Sequence, residues 1–209
     1  MCGRYSMKAD YQKFRKKFAF LQDHYFDIHG YKVRPEIFPG TEILAINNEH
    51  EAEDLWWTVE DCTADGRMIK AINAKSETVG KVKMFKDAFR NNRVLIPATG
   101  FFEWKELPDK KKEKYEFTFQ EALFAFAGIA RECEIKGSPR QCGVILTTSA
   151  NDVVRPIHAK NRMPVILHEY DYEKWLDPAT PPDELERIMQ PLLNEEIEAK
   201  PVEAGKSED

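Results

Sequence analysis

Four polar residues of this 209-residue chain, Cys2, Asn73, Glu103 and His158, are of the types that together perform nucleophilic chemistry with proton transfer. Cys2 follows the initiator methionine in MCGRY. Once Met1 is removed, that cysteine carries an amine and a thiol on adjacent carbons. Only such a pair can close a five-membered ring around one aldehyde carbon, and no internal cysteine can do so. The α-amine titrates at about 7.7 to 8.0 and the thiol at about 8.5, so usable amounts of neutral amine and thiolate coexist near pH 7.

Each of the other three also has a plain structural reading. Asn73 lies between Ala71-Ile72 and the turn-like KSET, and an Asx turn or a helix cap would explain it. Glu103 is set among Phe101, Phe102 and Trp104. If it faces inward, desolvation raises its pKa and makes it a proton carrier near neutrality; if it faces outward, it is a solvated carboxylate on an alternating strand. His158 leads into the apolar run MPVIL and equally suits a hydrogen-bonded structural role, while Arg162 reads as a phosphate ligand or a solvated charge. The constellation is more specific than its members.

The elements that must hold these residues are mostly strands. RVLIP, TGFFEW, YEFTF, LFAFAGI and CGVILTT, all between residues 93 and 148, are short, aromatic or β-branched runs, the pattern of an antiparallel sheet. A strand is also expected over residues 2–6, another over 42–47 within an otherwise loop-like stretch 21–50, and another in RMPVILH. Tyr11, Phe14 and Phe18 recur at helical spacing within 9–20, as do Val82, Phe85 and Phe89 within 81–92. EYDYEKWL and DELERIMQPLL read as closing helices, and PDKKKEK (108–114) as a solvated hairpin loop or a basic loop touching DNA. Strands grouped together with helices at their edges predict an α+β fold with a curled, partly barrel-like antiparallel sheet and peripheral helices.

Composition narrows the setting. There is no run of eighteen apolar residues and no secretory signal, so a cytoplasmic protein without a membrane partner is expected. Residues 195–209 carry −4 of the net −5, which leaves −1 on the other 194 residues and permits a local basic groove. That acidic stretch is expected to be a disordered tail behind a single domain over residues 1–194. The four cysteines, Cys2, Cys62, Cys133 and Cys142, lack CxxC spacing and a histidine cluster, so reduced thiols are expected, with neither a metal site nor a disulfide framework.

MCGRY, NAKSET, IPATGFFEW and IHAKNRMPVIL occur in that order, and together they resemble the SRAP (SOS response-associated peptidase) family of abasic-site processing proteins, from residue 2 to about residue 176. The resemblance implies the SRAP fold, with Cys2 as N-terminal nucleophile and Asn73, Glu103 and His158 as the other catalytic residues. It also implies that Arg4, Lys75 and Arg162 contact DNA phosphate. Two departures are visible. Lys75 stands where the family usually has arginine, which replaces a bidentate fork by a point charge. Three residues separate His158 from Arg162 where many relatives have one.

The implied partner is single-stranded DNA containing abasic sites, bound by a monomer that works without a cofactor and is nucleoid-associated when acting on DNA. An abasic site is partly a ring-opened aldehyde at C1′. The α-amine would condense with it to an imine and the thiol would add to give a thiazolidine, a covalent crosslink protecting the site during the DNA damage response. In that scheme Glu103 shuttles protons. His158 holds or protonates the sugar oxygen, or removes a proton if the imine proceeds to strand cleavage, and Asn73 orients the amine or the open sugar. Trp56 and Trp57 are candidates for base stacking, with burial as a pair in the sheet the alternative. A rival reading uses the same residues as an N-terminal-nucleophile hydrolase or cysteine peptidase, and a second rival is a noncatalytic DNA-binding module.

Overall fold

The computed structural model describes residues 2–22, 24–62 and 65–203. In chain order, β1 (Tyr5–Met7) is followed by α1 (Tyr11–Lys17) and α2 (His24–His29), then by β2 (Arg34–Ile37), β3 (Glu42–Ile46), β4 (Ala52–Trp57), β5 (Val59–Cys62), β6 (Met68–Ala71) and β7 (Asn73–Lys75). After α3 (Lys86–Asn91) come β8 (Arg93–Ala98), β9 (Gly100–Glu106), β10 (Lys112–Phe119), β11 (Phe124–Ile135) and β12 (Ser138–Ser149). The chain ends with β13 (Arg162–Pro164), β14 (Ile166–Leu167), α4 (Tyr172–Leu176), α5 (Pro182–Ile188) and β15 (Ile197–Pro201). None of the described helices is long and apolar enough to cross a membrane.

β12, β4, β3, β8 and β11 pair in sequence, and β11 pairs back to β12, so five strands close into a barrel. Closure satisfies strand edges that would otherwise be open. The short β7, β13 and β14 pair with barrel strands beyond the closed ring, β7 and β13 with β12 and β14 with β11. A second sheet runs in the order β15-β10-β9-β1-β2 and packs on the barrel. The two share one core: Tyr5 of β1 meets Trp57 edge-on at 5.2 Å and Phe126 at 5.6 Å, and Phe101 of β9 stacks on Phe117 at 4.7 Å. Gly100 is needed at the start of β9, because a Cβ there would lie 2.8 Å from the carbonyl oxygen of Phe117.

The helices are short and edge-bound. Asp10 caps α1 by accepting the Lys13 N–H at 2.8 Å, and buried Phe14 and Phe18 anchor its apolar face, Phe18 stacking on Tyr172. Within 81–92 only Lys86–Asn91 is helix. Turn hydrogen bonds occupy the residues before it, and Val82 stays exposed while Phe85 and Ala88 are buried. Residues 21–50 hold more than loop and one strand, since α2 and β2 form there. Their apolar residues are sparse, but Phe26 and Ile37 reach the common core.

Two expectations are corrected. Cys133 and Cys142 are joined as a disulfide rather than being reduced thiols, while Cys2 and Cys62 are free. The β11–β12 hairpin sets Cys133 opposite Arg140 and Cys142 opposite Arg131, which brings their Cα atoms to 6.0 Å, within disulfide reach. The acidic stretch from residue 195 is not a tail throughout. Ile197–Pro201 form β15, paired with β10 from Phe119↔Ile197 to Tyr115↔Pro201, and Ile197 is buried; residues 204–209 lie outside the described residues.

Arg93 at the head of β8 is buried and donates to four carbonyl groups: Phe89 at 2.6 Å, Arg90 at 3.1 Å, Trp175 at 2.6 Å and Asp177 at 2.5 Å. Those oxygens close the C-terminal ends of α3 and α4, where helical carbonyls have no partner of their own. Arg93→Met is expected to cost roughly 3 to 5 kcal/mol, since it strands buried acceptors, and at about 2 to 4 °C per kcal/mol to lower Tm by roughly 10 °C. Thermal denaturation measures it, and a shift within about 2 °C would reject the capping role.

Candidate active site and strand-binding surface

The site forms where β1 and β9 of the second sheet approach the C-terminal end of β12. Tyr5↔Phe101 and Ser6↔Gly100 fix the β1–β9 register, and the Phe102 N–H donates to the Arg4 carbonyl at 2.9 Å, which lays residues 2–4 along Phe102–Trp104. Side chains alternate along a strand, so Glu103 shares the inward side with Phe101, and Phe102 and Trp104 face the other way. From the barrel, β12 presents Ile145 to Asn73, Thr147 to Lys75 and Ser149 to Arg162. His158 sits in the connection between β12 and β13.

Cys2, Glu103 and His158 are all nearly buried, at 1%, 8% and 5% exposure. The Cys2 thiol donates to the Arg4 carbonyl at 3.9 Å. Burial pushes its pKa well above the ordinary thiol value, and the Glu103 charge adds to that push. Burial likewise pushes Glu103 up to about 8 and pulls His158 down to about 4, so near neutral pH both are uncharged. Their facing atoms, Glu103 Oε1 and His158 Nε2, are 3.4 Å apart.

The imidazole tautomer follows from its surroundings. His158 Nδ1 accepts the backbone N–H groups of Lys160 at 3.1 Å and Arg162 at 3.3 Å, in a turn closed by Asn161 at φ 51°. An acceptor at Nδ1 puts the proton of neutral imidazole on Nε2. His158 is thereby a hydrogen-bond donor towards the site, and proton abstraction by its neutral form is disfavoured at both nitrogens. The three residues between His158 and Arg162 build this turn.

Asn73 is a strand residue whose amide donates to the Ile145 carbonyl at 3.3 Å, so it makes no Asx turn. Among the described residues five buried side-chain polar atoms lack a hydrogen-bond partner, and four belong here: Asn73 Oδ1, Glu103 Oε1, Arg4 Nε and Arg162 Nε. Buried polar atoms are normally satisfied, so each of these four is an open position for a ligand. The donors and acceptors present suit a polar, anionic organic molecule. No group of three or more His, Cys, Asp or Glu side chains suited to a metal ion converges among the described residues.

The cations are held differently. Arg162 forms a fork with Glu77, at 2.5 and 2.9 Å, and also donates to the Thr147 carbonyl. Arg4 pairs with Glu36 at 3.2 Å, with its guanidinium 4.3 Å from the Phe38 ring centre and 4.8 Å from that of Trp104. Lys75 is exposed. The tryptophan pair divides. Trp57 is fully buried in the common core and donates to the Ile72 carbonyl, so the expectation that it stacks on a base is overturned. Trp56 packs beneath Arg140, and its register partner Cys142 lies about 23 Å along β12 from Ser149, the partner of Arg162. Phe38, Trp104 and Glu36, which surround Arg4, were not singled out from the sequence. The alternation FFEWK is a local sign for Trp104, whereas Phe38 and Glu36 join only through the β1–β2 pairing.

A family model described as SOS response associated peptidase (SRAP) matches residues 1–205. The abasic site processing protein YoaM of Bacillus subtilis is 33% identical over 208 residues, covering 95% of this chain and 89% of that protein. YoqW of the same organism is 31% identical over 207 residues, covering 95% and 91%. YedK of Escherichia coli, also an abasic site processing protein, is 26% identical over 183 residues, covering 84% and 79%. Among solved structures, a Bacteroides thetaiotaomicron protein superposes with a TM-score of 0.82 at 22% identity, covering 97% of this chain and 93% of that one. A Bordetella bronchiseptica protein gives 0.78 at 23%, covering 97% and 100%. At those identities the structural likeness speaks for the fold.

Proposed function

Because this chain belongs to the SOS response associated peptidase (SRAP) family, we propose that it processes abasic sites by covalent capture, with Cys2 closing a thiazolidine on the ring-opened sugar of single-stranded DNA. The observation that supports the reading is the buried facing pair Glu103 Oε1 and His158 Nε2, 3.4 Å apart, with the Glu103 charge acting on the buried Cys2 thiol. An unpaired strand is the suitable substrate, since a buried thiol reaches C1′ only if the sugar leaves a helical stack.

The steps balance with one proton carrier. After removal of Met1, the Cys2 amine attacks the C1′ aldehyde. Glu103, neutral below about pH 8, gives its proton to the carbinolamine hydroxyl, which leaves as water to form the imine. The resulting carboxylate takes the proton of the Cys2 thiol, whose raised pKa makes a base necessary, and sulfur adds to the imine carbon. The carbinolamine nitrogen keeps its hydrogen, so the imine forms as its protonated iminium and that hydrogen remains on the ring nitrogen after sulfur adds; the net loss is one water. His158 donates Nε2–H to the sugar oxygen released on ring opening, and Asn73 Oδ1 accepts from the terminal amine.

Incubation with an abasic single-stranded oligonucleotide, followed by intact-mass spectrometry under denaturing conditions, is expected to give a species at the summed mass less one water. An unchanged protein mass, with DNA binding retained, would instead indicate a noncatalytic module. Turnover of amides by Cys2 without any DNA adduct would indicate the hydrolase. The thiol's hydrogen bond to a carbonyl rather than to an imidazole argues against that last alternative.

A further inference from the structure

We propose that Phe38 is the stacking platform for the nucleobase next to the captured sugar. This deepens the reading of the site as a binder of single-stranded DNA and rests on it. Phe38 is a large apolar side chain left 40% exposed, and one face of its ring is covered by the Arg4 guanidinium, two residues from Cys2. The ring lies in the tight β2–β3 connection. There Thr41 Oγ1 donates to the Phe38 carbonyl at 2.7 Å, Arg34 holds Thr41 at 3.1 Å, and Gly40 turns the chain at φ +76°. Tyr5↔Ile37 pairing brings this connection alongside residues 2–4, so Phe38 stands within a neighbouring nucleotide's reach of Cys2.

The chemistry favours a base over other apolar occupants. Phe38, Arg4 and Trp104 form a ring–cation–ring stack, with Lys114 4.3 Å from the ring centre of Phe102 on the same outward face. A flat aromatic ring beside cations, one of them with an unpartnered Nε, matches a base attached to a phosphodiester. Because the connection and the cation already fix the ring, little further side-chain order is lost when a base stacks on it.

The test separates stacking from an indirect effect through Arg4. A single-stranded oligonucleotide with a tetrahydrofuran abasic analogue, which has no aldehyde, reports noncovalent binding alone. One version keeps purines on both sides of the analogue; a second replaces both neighbours by further analogues. Phe38→Ala is expected to weaken binding to the first by about 5- to 100-fold and to the second by less than about 2-fold, and Phe38→Trp to restore the difference. Equal losses on both oligonucleotides, or none on either, would overturn the platform. If the unaltered chain still forms its adduct with a true abasic site, that failure leaves the covalent reading standing. If it bound neither oligonucleotide and formed no adduct, both proposals would fall.

Discussion

Cys2→Ser is expected to reduce the adduct that survives heating and denaturation by about 10³-fold or more, the scale on which removal of a covalent nucleophile is felt. The amine remains, so an imine still forms. A serine hydroxyl has neither the acidity nor the nucleophilicity to close a durable ring on it, and water reverses the imine. Borohydride, which reduces an imine to a stable amine, should therefore trap the variant on DNA while untreated samples lose the adduct. An equally durable product from Cys2→Ser, or from protein that retains Met1, would dismiss ring closure by one terminal residue as the mechanism.

Glu103→Gln is expected to slow adduct formation by about 10²- to 10⁴-fold, the usual contribution of a positioned acid–base group, and to change its pH dependence. In the unaltered protein the acid form declines as pH rises through about 8, so the rate should fall on that limb. The variant should show no such limb. A retained limb at the same pH would assign it to another group.

Stability gives an independent reading of the same pair. Glu103 titrates at about 8 when folded against 4.5 for the ordinary group, so its contribution is complete below 4.5 and is lost as pH rises through 8. His158 titrates at about 4 against 6.5, so its contribution is complete above 6.5 and is lost as pH falls through 4. Between 4.5 and 6.5 the slopes cancel, because the folded pair holds one proton, on Glu103, and the unfolded pair also holds one, on His158. From 6.5 to 8 only the Glu103 slope remains, which amounts to a loss of about 2 kcal/mol. Denaturant titrations across that window should show this loss in the parent and not in Glu103→Gln. A flat parent profile would mean that Glu103 is solvated.

The proposed chemistry rests on residue types because it depends on position in the chain. A cysteine behind the first methionine can supply amine and thiol together whatever the fold around it, and the aromatic and β-branched runs of residues 93–148 needed only local propensity to be read as strands. The orientation of Glu103 was not legible, since an alternating strand allows either face until its register with β1 and the core position of Phe101 are known. The same two-residue period divides neighbours that look equivalent in the sequence: Trp57 enters the core and Trp56 does not.

Pairings between distant segments decided the remainder. β15 is ordered because β10 offers it an edge, although its own composition is that of a solvated tail. Cys133 and Cys142 meet because a hairpin folds one strand onto the next, and Phe38 reaches Arg4 through pairing across thirty-four residues of chain. Which groups can react and which runs form strands are properties of single residues and near neighbours, and residue types alone reveal them. Which of those groups come to lie buried against one another depends on register and burial, which are properties of pairs far apart in the chain and exist only once it has folded.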